Sequence, residues 1–194
     1  MGLLVLILGL ILFFGVHTLT TQRKLRAQVI AATGEAGYKI GYTLASFAGL
    51  ALIIWGFALY RATGWINVWN PPTALKHITV ALMLPAVILV IASYIRGRIY
   101  TTLKHPMLTG IKLWAAAHLL ANGDLGGIIL FGAILAWAVF DRITLKRRSD
   151  PGGPPIPLGG VRQDVIAILG GTVIYLLLGF LFHPYVVGVP AFSR

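Results

Sequence analysis

The side chains able to do chemistry in this 194-residue chain are few. Cysteine is absent, which excludes a disulfide scaffold, a cysteine-ligated cluster, a zinc ribbon and a thiol nucleophile. Acidic residues number five, with Glu35, Asp141, Asp150 and Asp164 in basic segments and Asp124 in a turn. No two of them fall inside an apolar run. A two-carboxylate hydrolase, a di-iron carboxylate centre and a carboxylate proton relay therefore lack raw material. What remains is histidine: His17, His77, His105, His118 and His183.

His17 lies near the end of the first apolar run, six residues before Arg23. As helix that spacing is about 9 Å. His118 stands in the run WAAAH, six residues beyond Lys112, and so at a similar depth. Two imidazoles at matched depth on different helices can ligate one metal ion or one haem iron from opposite faces. The plainer reading is a membrane histidine bonded to a backbone carbonyl or a hydroxyl. Ala115, Ala116 and Ala117 leave space for a flat macrocycle, or alternatively serve close helix packing. His105, in Lys104-His105-Pro106, falls near the N-cap of a helix, because proline fits a first helical turn. There it contacts an anionic head group or a propionate, or it caps. His183-Pro184 repeats the dipeptide and marks a helix stop. His77, beside Lys76, reads as interfacial.

The elements that must position these residues are membrane helices. Hydrophobic residues make up 58% of the chain, mean hydropathy is +0.86, and only 11% of residues are charged, against about 25% in soluble domains. Runs long enough to cross a bilayer occupy Gly2–Thr20, Ile40–Tyr60, Thr73–Ile95 and Asp164–Phe182. Pro106–Ala121 and Leu125–Phe140 form a hairpin around the turn Asn122-Gly123-Asp124, and its first helix is short. The expected fold is an all-α integral membrane protein, a six-helix bundle in a single domain over residues 1–194.

The net charge of +11 would suggest nucleic acid in a soluble protein. Here it reads as membrane orientation, with no nucleic-acid partner. Thirteen of the sixteen Lys and Arg fall in alternate gaps, and Arg61, Lys76 and Arg194 lie on the other side. The positive-inside rule then puts both termini outside, in a multi-pass membrane protein. No positive charge precedes the first run, which reads as an uncleaved anchor. The stretch 141–164 alternates proline with glycine and reads as a basic cytoplasmic linker, a candidate partner contact. Tyr38 and Tyr42 on one face, and Tyr60, Trp65 and Trp69 on the other, suit interfacial belts. The outer loop with Trp65 and Trp69 lies along the membrane or forms the mouth for an apolar substrate.

Three stretches together resemble the NnrU family, whose relatives include the zeta-carotene isomerase of plants and cyanobacteria. They are FFGVHTL around His17, KHPMLTGIKLWAAAHLLANGD from Lys104 to Asp124, and the terminal FHPYVVGVP. GEAGYKIGYTLASFAGL adds to the likeness. The resemblance covers the chain apart from the Pro/Gly linker. It implies a haem b protein with iron ligands at His17 and His118. Arg23, Arg96, Arg98 and Lys104, with His105, are then candidate partners for the propionates. The isomerase branch has a cysteine three residues before the second histidine, where this chain has Ala115. Ligand exchange through that thiolate is not available here.

The resemblance implies one of two activities: a role in denitrification, around nitrite and nitric oxide, or haem-dependent cis–trans isomerisation of a polyene. The corresponding partners are the lipid bilayer, nitric oxide or an apolar polyene, and denitrification proteins. Two alternatives stand beside it. One is a cofactor-free accessory protein for reductase assembly. The other follows a second resemblance, of Lys104-His105-Pro106 with Gly110, to membrane methyltransferases that use S-adenosylmethionine. Those enzymes carry a glutamate-containing segment after the next helix, and this chain has DRITLKRRSD there.

Overall fold

The computed structural model describes residues 1–148 and 158–192. The protein is about 82% helical and has no strands among the described residues. Among the described residues seven α-helices follow one another: α1 (Gly2–Leu19), α2 (Arg23–Thr63), α3 (Thr73–Ala92), α4 (Arg98–Leu103), α5 (Pro106–Ala121), α6 (Leu125–Lys146) and α7 (Val161–Leu177). A π-helical segment, Leu178–Val187, continues α7. α1, α2, α3, α6 and the continuous helix Val161–Val187 are long and apolar enough to cross a membrane. α5 has 16 residues, about 24 Å, and falls short of a full hydrocarbon core. The chain is an all-α membrane protein, as its composition requires.

The basic stretch after the first span is helical rather than a loop. α2 runs for 41 residues and changes direction at Gly34 (φ 73°, ψ 164°). The left-handed φ explains the glycine, since no side chain tolerates it cheaply. The preceding residues, RKLRAQVIAAT, are mostly good helix formers, with Leu25 and Val29 one turn apart. The linker is also shorter than 141–164. α6 continues to Lys146 and α7 starts at Val161, so both ends of that stretch are helical. Its proline-rich middle, 149–157, lies outside the described residues.

The chain divides into two compact units. Unit 1 comprises Met1–Trp69 and Gly123–Ala133. Its core is Leu6, Leu10 and Ile53, with Ile129, Leu130 and Ala133 packed on it. α1 and α2 touch backbone to backbone through glycines seven residues apart on each helix. A methyl group on Gly9 would lie 2.6 Å from the Ile53 nitrogen, and one on Gly49 would lie 2.8 Å from the Phe13 nitrogen. At Gly2 and Gly56 the approach to Tyr60 and Leu6 is tighter still. Small residues at such crossings replace the hydrophobic drive that lipid removes. Tyr60 is 2% exposed and does not belong to an interfacial belt. Its hydroxyl donates to the Ile66 carbonyl (3.2 Å) and accepts the Ile66 N–H (3.0 Å), which folds the following loop back. That loop then pairs with the Gly123 turn, through Val68 N–H (2.8 Å) and Trp69 N–H (3.1 Å) to the Gly123 carbonyl. Asp124, 1% exposed, caps α6 by accepting the Gly127 N–H at 2.7 Å.

Unit 2 comprises Asn70–Asn122 and Ile134–Arg194, with α3 between α5 and α7. Gly110 of α5 meets Ala86 of α3, and Gly171 of α7 meets Ile88 of α3, each too closely for a side chain. The Thr79 hydroxyl donates to the Ala117 carbonyl at 2.7 Å, and the Tyr175 hydroxyl to the Val80 carbonyl at 3.1 Å. Asp164 of α7 accepts the Arg98 and Ile99 N–H groups at 3.0 Å, capping α4 from another helix.

Candidate functional site

His17 and His118 share one local design. Each follows an aromatic residue by four positions, in Phe13-x-x-x-His17 and Trp114-x-x-x-His118. One helical turn brings each imidazole beside the ring above it. Ring centres are 4.1 Å apart for Phe13 and His17, and 4.8 Å apart for Trp114 and His118. In each case Nδ1 bonds the carbonyl of the aromatic residue, at 2.6 Å and 2.9 Å. A carbonyl only accepts, so Nδ1 carries the proton. Nε2 is then the nitrogen with the lone pair. Metal-ligating histidines are commonly held this way, with the second nitrogen donating to a carbonyl.

The surroundings differ. His17, two residues from the end of α1, stands with Phe13, Tyr42, Thr43, Ser46, Phe47 and Leu50 around an apolar groove of about 280 Å³ in unit 1. The Tyr42 ring is 5.4 Å from its own. His118 lies in unit 2, near the C-terminal end of α5. It is 12 residues beyond Pro106, or about 18 Å along the helix. Lys112 is a helical residue in the middle of α5 and does not mark its basic end.

The neighbouring alanines have a defined task. Ala115 and Ala117 are fully buried, and the Ala117 carbonyl receives Thr79 from α3. They serve the close contact between α5 and α3.

The basic candidates in unit 2 gather around α4, at the far end of α5 from His118. Arg96 donates through Nε to the Ser93 carbonyl (3.2 Å), and its guanidinium lies over the Tyr100 ring at 4.7 Å. Arg98 opens α4 and Lys104 ends it with φ at 61°. Along the chain, most of α5 lies between them and His118. Arg23 begins α2 in unit 1. His105 is the N-cap residue of α5, as its sequence suggests, though its side chain makes no capping bond. Its carbonyl accepts the Thr109 N–H and hydroxyl, both at 3.2 Å. Burial, then the nearby Arg142, hold its pKa below the usual histidine range. His77 is exposed in the second turn of α3, which suits an interfacial residue.

His183, like His77, has no chemical role in the sequence reading. His183-Pro184 is not a helix stop. The backbone continues through it as π-helix and ends at Gly188, where φ is 75°. The wider turn tolerates the missing proline N–H. The segment brings the His183 ring to 6.2 Å, centre to centre, from that of His118, with the planes 33° apart. The signal for it is present in the sequence, in a second His-Pro pair inside the terminal FHPYVVGVP.

Haem, the group that the histidine reading implies, can be tested against this donor set. Its needs are neutral imidazoles with an oriented lone pair, in apolar surroundings and without a competing acid. His118 and His17 each offer a ring whose Nδ1 is held by a backbone carbonyl, His17 beside an apolar groove. Among the described residues no three His, Asp or Glu side chains come together as a closed metal cage.

No curated protein and no solved structure matches this chain. The family model described as NnrU protein matches residues 5–191, which takes in both aromatic-x-x-x-histidine elements and the terminal His-Pro segment. With that match running almost end to end, the chain belongs to the NnrU family.

Proposed function

We propose that this is a haem b-binding protein of the bacterial inner membrane, with both termini outside, acting in nitrite and nitric oxide metabolism. The observation that carries the proposal is the fixed tautomer of His118. Its Nδ1–H is held by the Trp114 carbonyl, which aims a lone-pair Nε2 away from its own helix. His17 is the partner ligand that the family resemblance implies, held by the Phe13 carbonyl in the same way. Bound haem supplies an iron that exchanges one electron and takes nitric oxide. The chain's own contribution is to orient neutral imidazole and to exclude water and acid. Ala115 offers no thiolate, which weighs against a cysteine-dependent polyene isomerase and toward nitric oxide chemistry.

The test is an absorption spectrum of the protein purified in mild detergent from cells given a haem precursor. A Soret band with sharp reduced α and β bands at near-stoichiometric haem is expected. His118→Ala should lose those bands. A colourless, monodisperse protein would reject the reading and favour the cofactor-free accessory role.

A further inference from the structure

The haem reading makes little use of the basic segment that follows α1. α1 ends at Leu19, and the hydroxyls of Thr20 and Thr21 turn back onto the carbonyls of His17 and Thr18, at 2.6 and 2.7 Å. α2 then opens with Arg23, Lys24 and Arg26 and changes direction at Gly34. The end of α1, the segment before Gly34 and the part of α2 beyond it border a groove of about 200 Å³ in unit 1. Val16 and Leu19 line it from α1, Val29 from the basic segment, and Gly37, Tyr38 and Gly41 from beyond the kink. Its floor is bare at Gly41, where a methyl group would meet nothing within 4 Å. Pockets for compact ligands hold about 300–1,000 Å³. This smaller, open groove suits one flexible apolar chain instead.

The charge beside the groove has a definite place. The Arg26 guanidinium lies over the Tyr38 ring, 5.4 Å from its centre, and Tyr38 itself is 8% exposed. Arg23 stands three residues before Arg26 and shares its helix face, whereas Lys24 falls about 200° round the helix from it. Glu35, the only acid before Asp124, is paired with Lys39 at 2.7 Å, and its charge also acts on Arg26. From Arg23 to Lys39 the chain carries four cations against that one acid. An apolar groove with cations at its wall, beside a membrane span, fits a molecule with an anionic head and an apolar chain. A zwitterionic lipid brings the chain without the net charge, and a soluble acidic partner brings the charge without the chain.

We propose that this groove binds one anionic phospholipid, with an acyl chain over Gly37 and Gly41 and its phosphate at Arg26 and Arg23. The site does not depend on haem. The full chain in mild detergent is doped with equal amounts of phosphatidylglycerol and phosphatidylcholine carrying the same acyl chains, and the retained lipids are counted by native mass spectrometry. One phosphatidylglycerol per protein should be retained in preference to phosphatidylcholine. Arg26→Gln should lower that retention about fivefold, which is the worth of one cation at an anionic membrane surface. Lys24→Gln should leave it unchanged. Gly41→Leu fills the groove floor and should lower retention while the thermal midpoint holds. Glycerol phosphate, a head without chains, should not displace the lipid even in large excess. Equal retention of the two lipids would overturn the proposal. So would equal losses in Arg26→Gln and Lys24→Gln, the result that diffuse attraction to a basic segment gives. Displacement by glycerol phosphate would show a phosphate site that needs no lipid, and would overturn it too. Arg26 is exposed, so its substitution decides the case even where Gly41→Leu fails to fold.

Discussion

His105 shows how a single residue reports on its end of the molecule. Burial and Arg142 disfavour its protonated form in the folded protein. The unfolded chain takes up that proton near pH 6.5, while the folded protein resists until lower pH. Stability is therefore complete above the ordinary histidine pKa and falls as pH drops through and below it. Thermal unfolding in detergent should show a lower midpoint at pH 5.5 than at pH 7.5. His105→Gln, which cannot titrate, should shrink that difference. An undiminished difference would place the titration elsewhere. The N-cap position of His105 was readable from Lys104-His105-Pro106, because proline constrains its local backbone. Its neighbour Arg142 was not, since 37 residues and two helices separate them in the chain.

At the scale of elements, contacts between helices are set by glycine, and not every glycine takes part. Gly49 and Gly56 face α1 across a backbone-to-backbone contact, whereas nothing lies within 4 Å of a methyl group placed on Gly41. Gly56→Ala should destabilise the protein by about 1–3 kcal/mol, because the opposing Leu6 backbone has to move. Gly41→Ala should be neutral or stabilising by up to about 1 kcal/mol, from helix propensity alone. Equilibrium unfolding in mixed detergent micelles compares the two. The spacing of these glycines along α2 is visible in the sequence, but which of them meet a partner is a property of the crossing.

Asp164 gives a second element-scale test. It lies in the first turn of α7, where its charge favours that helix, and it also caps α4. Asp164→Ala should cost about 1 kcal/mol and speed amide exchange at Arg98 and Ile99. Exchange confined to α7 would contradict the cap.

For the whole molecule, the decisive quantity is orientation. The protein contains no cysteine, so single-cysteine variants give labelling without background. Gly64 caps the end of α2 and Arg162 lies in the first turn of α7, each at the end of a span. With positive residues inside, a membrane-impermeant maleimide should label Gly64→Cys in intact spheroplasts. It should reach Arg162→Cys only after permeabilisation. The reverse pattern would invert the topology and place His118 and His183 nearer the cytoplasm.

Composition and run length determine the all-α membrane fold, because hydrocarbon admits no unsatisfied backbone and a helix satisfies its own. The motif spacing also determines the tautomers of His17 and His118, since an aromatic carbonyl four residues back lies within the same helix. These are local consequences of 3.6 residues per turn. The helical character of Arg23–Thr33 was hidden by its charges, although its residues favour helix. The pairing of His118 with His183 was decided only by the tertiary structure. It depends on α3 holding α5 and α7 in one unit, and on a π-helical turn that shifts the phase of His183. Neither is encoded in any short window, because the contact joins side chains 65 residues apart.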